Sequence, residues 1–248
     1  MVGSNNASFD DLAKDYDEYR TGYGTELFDE LVNFGLSPGK SVLDIGCGNG
    51  IASVALAARG CVLTGVDPSE PMLVNARLRV PEGKFVVGSA EKLPFADRTF
   101  DHAICAQAFH WFDQPRAFEE TIRVVKPGGV VAVWWKVLTH DAAIRAIRDA
   151  ACTDADLAPP KDVRGGAFKA FYAAPFSERS LRVMPFIWRT TVKTWVGYER
   201  SRAKARNAFA SKREAYLKAL EKRLVREAGG PDAAMIAPYM QYVYIGYV

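Results

Sequence analysis

The stretch Ser41-Val42-Leu43-Asp44-Ile45-Gly46-Cys47-Gly48-Asn49-Gly50 reads as a short buried strand that runs straight into a glycine turn. Glycines in such a turn let a ligand approach the backbone closely, and the turn opens the N-terminus of a helix. The pattern after Gly50 predicts that helix over Ile51–Arg59. Cys61–Val66 reads as the next strand, and Asp67 follows it about twenty residues beyond the loop, where a carboxylate can accept both hydroxyls of a ribose. Two features separate this loop from a dinucleotide site. The glycines fall as Gly46-x-Gly48-x-Gly50, so the third comes too early to bring a helix against a pyrophosphate. Asp44 would also repel a pyrophosphate, whereas it can organise the loop and a cationic, amine-bearing ligand.

Outward from the loop, strands and helices alternate. A helix is predicted from about Glu70 to Arg79, a strand over Phe85–Gly88, a strand over Phe100–Ala106, a helix over about Pro115–Val125 and a strand over Gly129–Trp135, with Lys126-Pro127-Gly128-Gly129 as the turn before it. That rhythm indicates a parallel, doubly wound sheet. Continuous runs such as Ala132-Val133-Trp134-Trp135 suit strands buried on both faces. After Lys136 the rhythm changes. Asp141–Cys152 reads as a helix, a loop-rich stretch holds Pro159-Pro160 and Gly165-Gly166, and Val192–Ala228 reads as helical, as two helices. Tyr239–Val248 alternates as a last strand. The expected organisation is an N-terminal helical arm over 1–36, a ligand-binding core over 37–136, a cap over 137–238 and a final sheet strand over 239–248.

Composition bounds the answer. The chain has 248 residues, 49% of them apolar, and a formal charge of +3. That is enough apolar material for a full core, and the charge alone gives no reason to expect nucleic acid as a partner. No apolar run reaches the ~20 residues of a membrane helix, and Met1–Ala13 lacks a signal-peptide core, so the expected compartment is the cytoplasm. Cys47, Cys61, Cys105 and Cys152 are too widely spaced for a zinc or redox motif and read as reduced structural thiols. No metal-ligand constellation is visible.

The combination of segments resembles the class I S-adenosylmethionine-dependent methyltransferases, and within them the small-molecule subgroup that includes trans-aconitate methyltransferase. The matching residues are Val42–Gly50; Gly65-Val66-Asp67-Pro68-Ser69 with Met72-Leu73; Gly88–Phe95; Phe100-Asp101 and Ala106–Phe112; and Lys126–Gly129. They cover about residues 10–136. Beyond 137 the match is weaker, although Trp195-Val196-Gly197-Tyr198-x-x-Ser201 is similar to the subgroup's cap helix. The resemblance implies a Rossmann-like, doubly wound, mostly parallel seven-stranded sheet with a mainly helical cap inserted after strand five. It implies S-adenosylmethionine as cofactor and S-adenosylhomocysteine as product. Asp44, Gly46 and Gly48 would hold the methionine end, Asp67 the ribose, Pro68 and Met72 the adenine faces, Ala90 and Glu91 its edge, and Gln107 the sulfonium region. Tyr16 and Arg20 in the arm would fold over the cofactor, though Thr21 stands where the subgroup has proline.

The implied activity is methylation of a small molecule, most simply at a carboxylate or hydroxyl oxygen. RNA or protein methylation, and a non-catalytic binding protein on the same fold, are the competing readings. Methyl transfer needs alignment and exclusion of water more than acid–base work. A base is required only for a protonated acceptor. His110, in Phe109-His110-Trp111-Phe112 just past the fourth strand, is the candidate catalytic residue; the alternative is that it only shapes the pocket. Trp111 and Trp135 are candidate acceptor contacts, and His140 is a weaker one. The aromatics from Phe168 to Trp188 (Phe168, Phe171, Tyr172, Phe176, Phe186 and Trp188) are expected to form the cap's own core, with lining of the acceptor pocket as the alternative. The basic run Arg200, Arg202, Lys204, Arg206, Lys212, Arg213, Lys218, Lys222, Arg223 and Arg226 reads as a solvated helix face rather than an anion site. Either a monomer or a homodimer fits this composition.

Overall fold

The computed structural model describes residues 21–139, 143–158, 164–202 and 211–248. In chain order the elements are α1 (Thr25–Asn33), β1 (Ser41–Ile45), α2 (Ile51–Ala57), β2 (Val62–Asp67), α3 (Glu70–Arg79), β3 (Lys84–Val87) and β4 (Phe100–Ala106). A 3-10 turn (Phe109–Trp111), α4 (Gln114–Val124) and β5 (Val125–Leu138) follow. The second half holds α5 (Ala143–Asp154), α6 (Arg164–Ala173), β6 (Arg179–Thr191), α7 (Val192–Ser201), α8 (Arg213–Ala228) and β7 (Ala234–Tyr247).

The seven strands lie in the order β3-β2-β1-β4-β5-β7-β6. β1, β2, β3, β4 and β5 pair in parallel. β7 runs antiparallel to β5, since Val248 exchanges hydrogen bonds with Gly128 and Gly129 while Thr139 donates to Pro238. Ser177 and Val192 bond Tyr247 and Ala233, so β6 is antiparallel to β7. This is the doubly wound, mostly parallel sheet expected, with the helical insertion after β5. The strand order reverses direction at β1, so the ends of β1 and β4 flank the switch point where open α/β sheets bind ligands.

By contact density the chain divides into two units. Among the described residues, one comprises 22–136, 164–184 and 241–248, and carries the glycine loop. On one side of its sheet Leu27, Leu31, Leu36, Val42, Leu63 and Ile104 form a continuous core around Trp134. Trp134 is fully buried, edge-on to Tyr23 and Phe28. Among the described residues, the other unit comprises 21, 137–139, 143–158, 185–202 and 211–240. Its core gathers Val192, Trp195, Tyr216, Leu220 and Tyr239. Buried Glu199 bonds Tyr216 at 3.1 Å and Arg202 at 2.8 Å.

Several expectations need correction. β6 is a strand where a loop-rich segment was expected. Its two faces alternate in exposure, but both carry apolar side chains, so no two-residue pattern stands out. Pro185 inside it is tolerated because β6 is the last strand of the sheet. β7 begins at Ala234, ahead of the expected Tyr239, and spans Pro238. β5 begins at Val125, before the glycine turn instead of after it. Its pairing with β4 jumps from Phe100↔Val125 to His102↔Val130, so Lys126–Gly129 bulges out within the strand. Asp101 pins the bulge: it accepts from Lys126 Nζ at 2.9 Å and from Ser41 at 2.8 Å. Those bonds hold its carboxyl well below the usual range. The expected cap aromatics also divide: Phe186 and Trp188 join the core of the second unit, but Phe171 and Phe176 pack on Phe118 in the first. Neighbouring aromatic runs in sequence do not reveal which core each ring enters. In the basic run, Arg202 pairs with Glu199, Lys212 with Asp156, Arg213 with Glu214 and Arg223 with Asp154. Lys204 and Arg206 lie outside the described residues.

The bulge allows a direct test. A Cβ on Gly129 would lie 2.2 Å from the Asp101 carbonyl oxygen, a backbone atom that cannot swing away. Gly128 has φ 79° but open space around it. Gly128→Ala should therefore cost about 1 kcal/mol, the ordinary left-handed penalty, and Gly129→Ala about 3 kcal/mol or more. Urea midpoints at unchanged slope would measure both, and equal costs would contradict the bulge geometry.

Candidate active site

The site grows from the ends of β1 and β2. Gly46 and Cys47 both donate their N–H groups to Val66 O, which turns the chain sharply after Ile45. Gly46, Gly48 and Gly50 have φ 67°, 53° and 80°. At Gly46 a side chain would also collide, its Cβ 2.7 Å from Ala108 and 3.0 Å from Phe112. The glycine there brings the segment after β4 against the loop. At Gly48 nothing lies within 4 Å of a built Cβ, so that face of the loop is open.

Two carboxylates hold the loop from different surroundings. Asp67 is half-buried; Oδ2 accepts the Gly48 N–H at 2.9 Å and Oδ1 the Ser69 N–H at 2.9 Å. Asp44 is fully buried. Ser53 Oγ donates to its Oδ2 at 2.6 Å, while Oδ1 has no partner among the described residues. Burial pushes its carboxyl up to about 7, the Ser53 hydroxyl opposing and the Asp67 charge adding to the shift. Burial likewise pushes the thiols of Cys47, Cys61, Cys105 and Cys152 up, and none forms a disulfide. Such thiols are poor nucleophiles.

The residues expected at the adenine end are spread over neighbouring loops. Pro68 is exposed, while Met72 and Ala90 are buried. Glu91 turns its Oε1 to the N–H of Asp113, the N-cap of α4, at 2.9 Å, a favourable place for negative charge. Gln107 stands on the end of β4 with φ 59°, a left-handed backbone rare for a residue with a Cβ. Two hydrogen bonds to β5 hold it: its N–H to Trp134 O at 2.9 Å, and its side-chain Nε2 to Lys136 O at 3.1 Å.

His110 and Trp135 are brought together. The Trp135 indole Nε1 donates to His110 Nδ1 at 3.1 Å. An imidazole that accepts at Nδ1 carries its proton on Nε2, so the bond selects that tautomer. Trp111 lies beside it, ring centroids 4.9 Å apart. Lys136, the next residue on β5, is buried and donates to Gly22 O at 2.9 Å over the Tyr23 ring. Tyr16, Arg20 and His140 lie outside the described residues. Ser53 and Tyr244, which packs edge-on to Trp135 at 5.8 Å, escaped the sequence reading. Ser53 carried a signal, since a hydroxyl in the first turn of the helix after a glycine loop points back at the strand end.

Among the described residues no group of three or more His, Cys, Asp or Glu side chains is gathered as a metal site. None of the described helices is long and apolar enough to cross a membrane.

Residues 43–133 match the methyltransferase domain family. An uncharacterized methyltransferase of Mycobacterium tuberculosis is 34% identical over 142 residues, 57% of this chain and 56% of that protein. Demethylmenaquinone methyltransferase of Renibacterium salmoninarum is 35% identical over 133 residues, 51% of this chain and 56% of that protein. The chain thus spans just over half the length of these curated relatives. A solved structure from Anaeromyxobacter dehalogenans, assigned as a type II methyltransferase, superposes with a TM-score of 0.72 at 27% identity, over 92% of this chain and 98% of that one. With the strand order, the glycine loop and Asp67 at the end of β2, these likenesses show that the chain has the fold of the class I S-adenosylmethionine-dependent methyltransferase superfamily, residues 43–133 being the part that matches the methyltransferase domain family.

Proposed function

We propose that the chain transfers a methyl group from S-adenosylmethionine to a small-molecule acceptor, at a hydroxyl or carboxylate oxygen. The observation that carries this reading is the buried, half-partnered carboxylate of Asp44 beneath an open glycine loop. A cationic amine of the cofactor's methionine end would satisfy Oδ1, which burial otherwise leaves costly. Asp67 can accept the ribose hydroxyls, because a carboxylate offers about four lone-pair sites and two backbone N–H groups do not exhaust them. Gly46 and Gly48 would line the methionine end, Pro68, Met72, Ala90 and Glu91 the adenine, and Gln107 the sulfonium region. The resemblance gives Tyr16 and Arg20 cofactor contacts as well. The likeness of Trp195–Ser201 to the cap helix of the trans-aconitate methyltransferase subgroup, and the small acceptor for which the R. salmoninarum relative is named, support a small acceptor here.

When bound, S-adenosylmethionine supplies an electrophilic methyl carbon and leaves as S-adenosylhomocysteine. The acceptor oxygen's electron pair would form the new bond to carbon, the carbon–sulfur pair would stay on sulfur, and any acceptor proton is lost to bulk solvent before the acceptor enters the site. The protein's part is alignment and exclusion of water. His110, with Nδ1 engaged by Trp135, acts as an Nε2–H donor that orients the acceptor oxygen rather than as the base.

Calorimetric titration of the full chain with S-adenosylmethionine tests the core of this reading; absence of binding at physiological cofactor concentration would sink it. Asp67→Ala should weaken binding about 10- to 100-fold, the worth of hydrogen bonds to a charged group. Asp44 makes binding pH-dependent. Its carboxyl titrates near 7 and an ammonium favours the ionised form, so affinity should rise from pH 6 to about 7 and then level, with proton release on the acid side. Without cofactor the sign reverses. The folded value lies above the ordinary 3.8, so the contribution of Asp44 to stability is full at low pH and is lost as pH rises through about 7. Asp44→Asn should flatten both slopes, and parallel pH profiles of the two proteins would contradict the assignment. His110→Ala should lower kcat/KM about tenfold, short of the 10²–10⁴ expected for loss of a general base.

A further inference from the structure

We propose that Arg123 and Glu120 of α4 are positioning residues for the adenine of the cofactor. They hold the loop between β3 and β4, residues 88–99, where Ala90 and Glu91 would meet the base. This rests on the methyltransferase reading above, which gives Ala90 and Glu91 that contact, and names what fixes them in place. Arg123 carries most of the anchoring. Its guanidinium makes five hydrogen bonds: Nε and Nη2 to the two Glu120 oxygens at 2.8 and 2.7 Å, Nη1 to Phe95 O and to Asp97 Oδ1 at 2.8 Å each, and Nη2 to Leu93 O at 3.2 Å. A guanidinium has five N–H groups in a rigid fork, so all of them are used. The Arg123 carbonyl also accepts the Arg98 N–H at 2.9 Å.

Glu120 completes the grip by accepting the Leu93 N–H at 2.8 Å. Both backbone polar groups of Leu93 are thereby taken by the pair, directly after the Ser89–Lys92 turn that carries Ala90 and Glu91. Pro94 has no N–H to anchor with, and the two carbonyls that flank it are the ones Arg123 holds. The start of the turn hangs on the cofactor side: Gly88 donates to Asp67 O at 3.2 Å. A Cβ on Gly88 would lie 2.9 Å from Val66 and 3.3 Å from Pro94, so the loop packs directly on β2. Glu91 in turn accepts the Asp113 N–H at 2.9 Å. Asp113, Glu120 and Arg123 share one helix, and a helix of that length spans about 15 Å as a rigid rod. α4 is thus a spine that fixes the turn at its tip through Asp113 and at its foot through the ion pair. The pair is only 31% and 21% exposed, whereas Asp97 is 72% exposed and a surface partner of little worth.

The test titrates the full chain calorimetrically with S-adenosylhomocysteine and with 5′-methylthioadenosine, which keeps the adenosine and lacks the amino acid. Arg123→Lys keeps the charge but replaces the fork with a point donor. Glu120→Ala leaves the Leu93 N–H without its acceptor. Each variant should weaken both ligands about tenfold and by the same factor, because the methionine end is untouched. Asp97→Asn, at the exposed partner of the same guanidinium, should change neither affinity. The titrations run well below the thermal midpoint of every variant. A pair that serves folding alone would then lower the midpoint and leave both affinities as they were, and that result overturns the proposal. A larger loss for adenosylhomocysteine than for methylthioadenosine also overturns it, since the disturbance would lie at the methionine end. So does failure of methylthioadenosine to bind the unaltered chain. In each of these cases the methyltransferase reading stands as long as adenosylhomocysteine binds the unaltered chain. If that ligand does not bind, the reading fails and this inference fails with it.

Discussion

A single carboxylate joins the two loops on which the site is built. Asp67 takes the N–H of Gly48 with one oxygen and that of Ser69 with the other. The parallel register of β1 and β2 places their ends side by side, Ile45 opposite Val66, and the Gly46 and Cys47 N–H groups close on Val66 O. Glycine at 65 makes this possible, because a side chain there would collide with Phe85 and Cys47. The turn after β1 is thus held from beneath by β2 and from the side by Asp67. The segment after β4 can then lie against Gly46, and the His110–Trp135 pair stands next to it.

Asp44 and Asp67 show how place decides the behaviour of one side-chain type. Two backbone N–H groups already stabilise charge on half-buried Asp67. Asp44 is fully buried and has one hydroxyl donor, so its charged form is disfavoured. One carboxylate fixes the shape of the loop, and the other lies buried with one oxygen unpartnered among the described residues. Cys47, between them in sequence, is buried, and burial pushes its thiol up.

The half of the fold that was legible in sequence is the half built from parallel strands buried on both faces. There Val42, Leu43, Ile45 and the 130–135 run are uninterrupted, and glycine turns mark the ends. β6 was hidden because Leu181, Val183 and Ile187 are exposed while Met184, Phe186 and Trp188 turn the other way, so hydrophobicity does not alternate although exposure does. Pro185 and Pro238, a residue type that usually interrupts strands, lie within β6 and β7. At the site, glycines and carboxylates were legible because their spacing is local. The bond from Trp135 to His110 spans 25 residues and depends on how β5 registers with β4. Each partner could be picked out alone, but not the tautomer their contact imposes. Tyr244 is further still, on a strand that joins the sheet only after the whole insertion.

Gln107 carries a further implication. Its left-handed backbone is one that glycine or asparagine adopts with less strain, so at this position main chain and side chain make opposing demands. The strain, on the order of 1–2 kcal/mol, is tolerable only because the amide end reaches the Lys136 carbonyl and clips the exits of β4 and β5 together. Position 107 therefore behaves as a latch. Shortening the side chain would relax the backbone locally and, at the same stroke, loosen the spacing between the two strands whose ends carry His110 and Trp135.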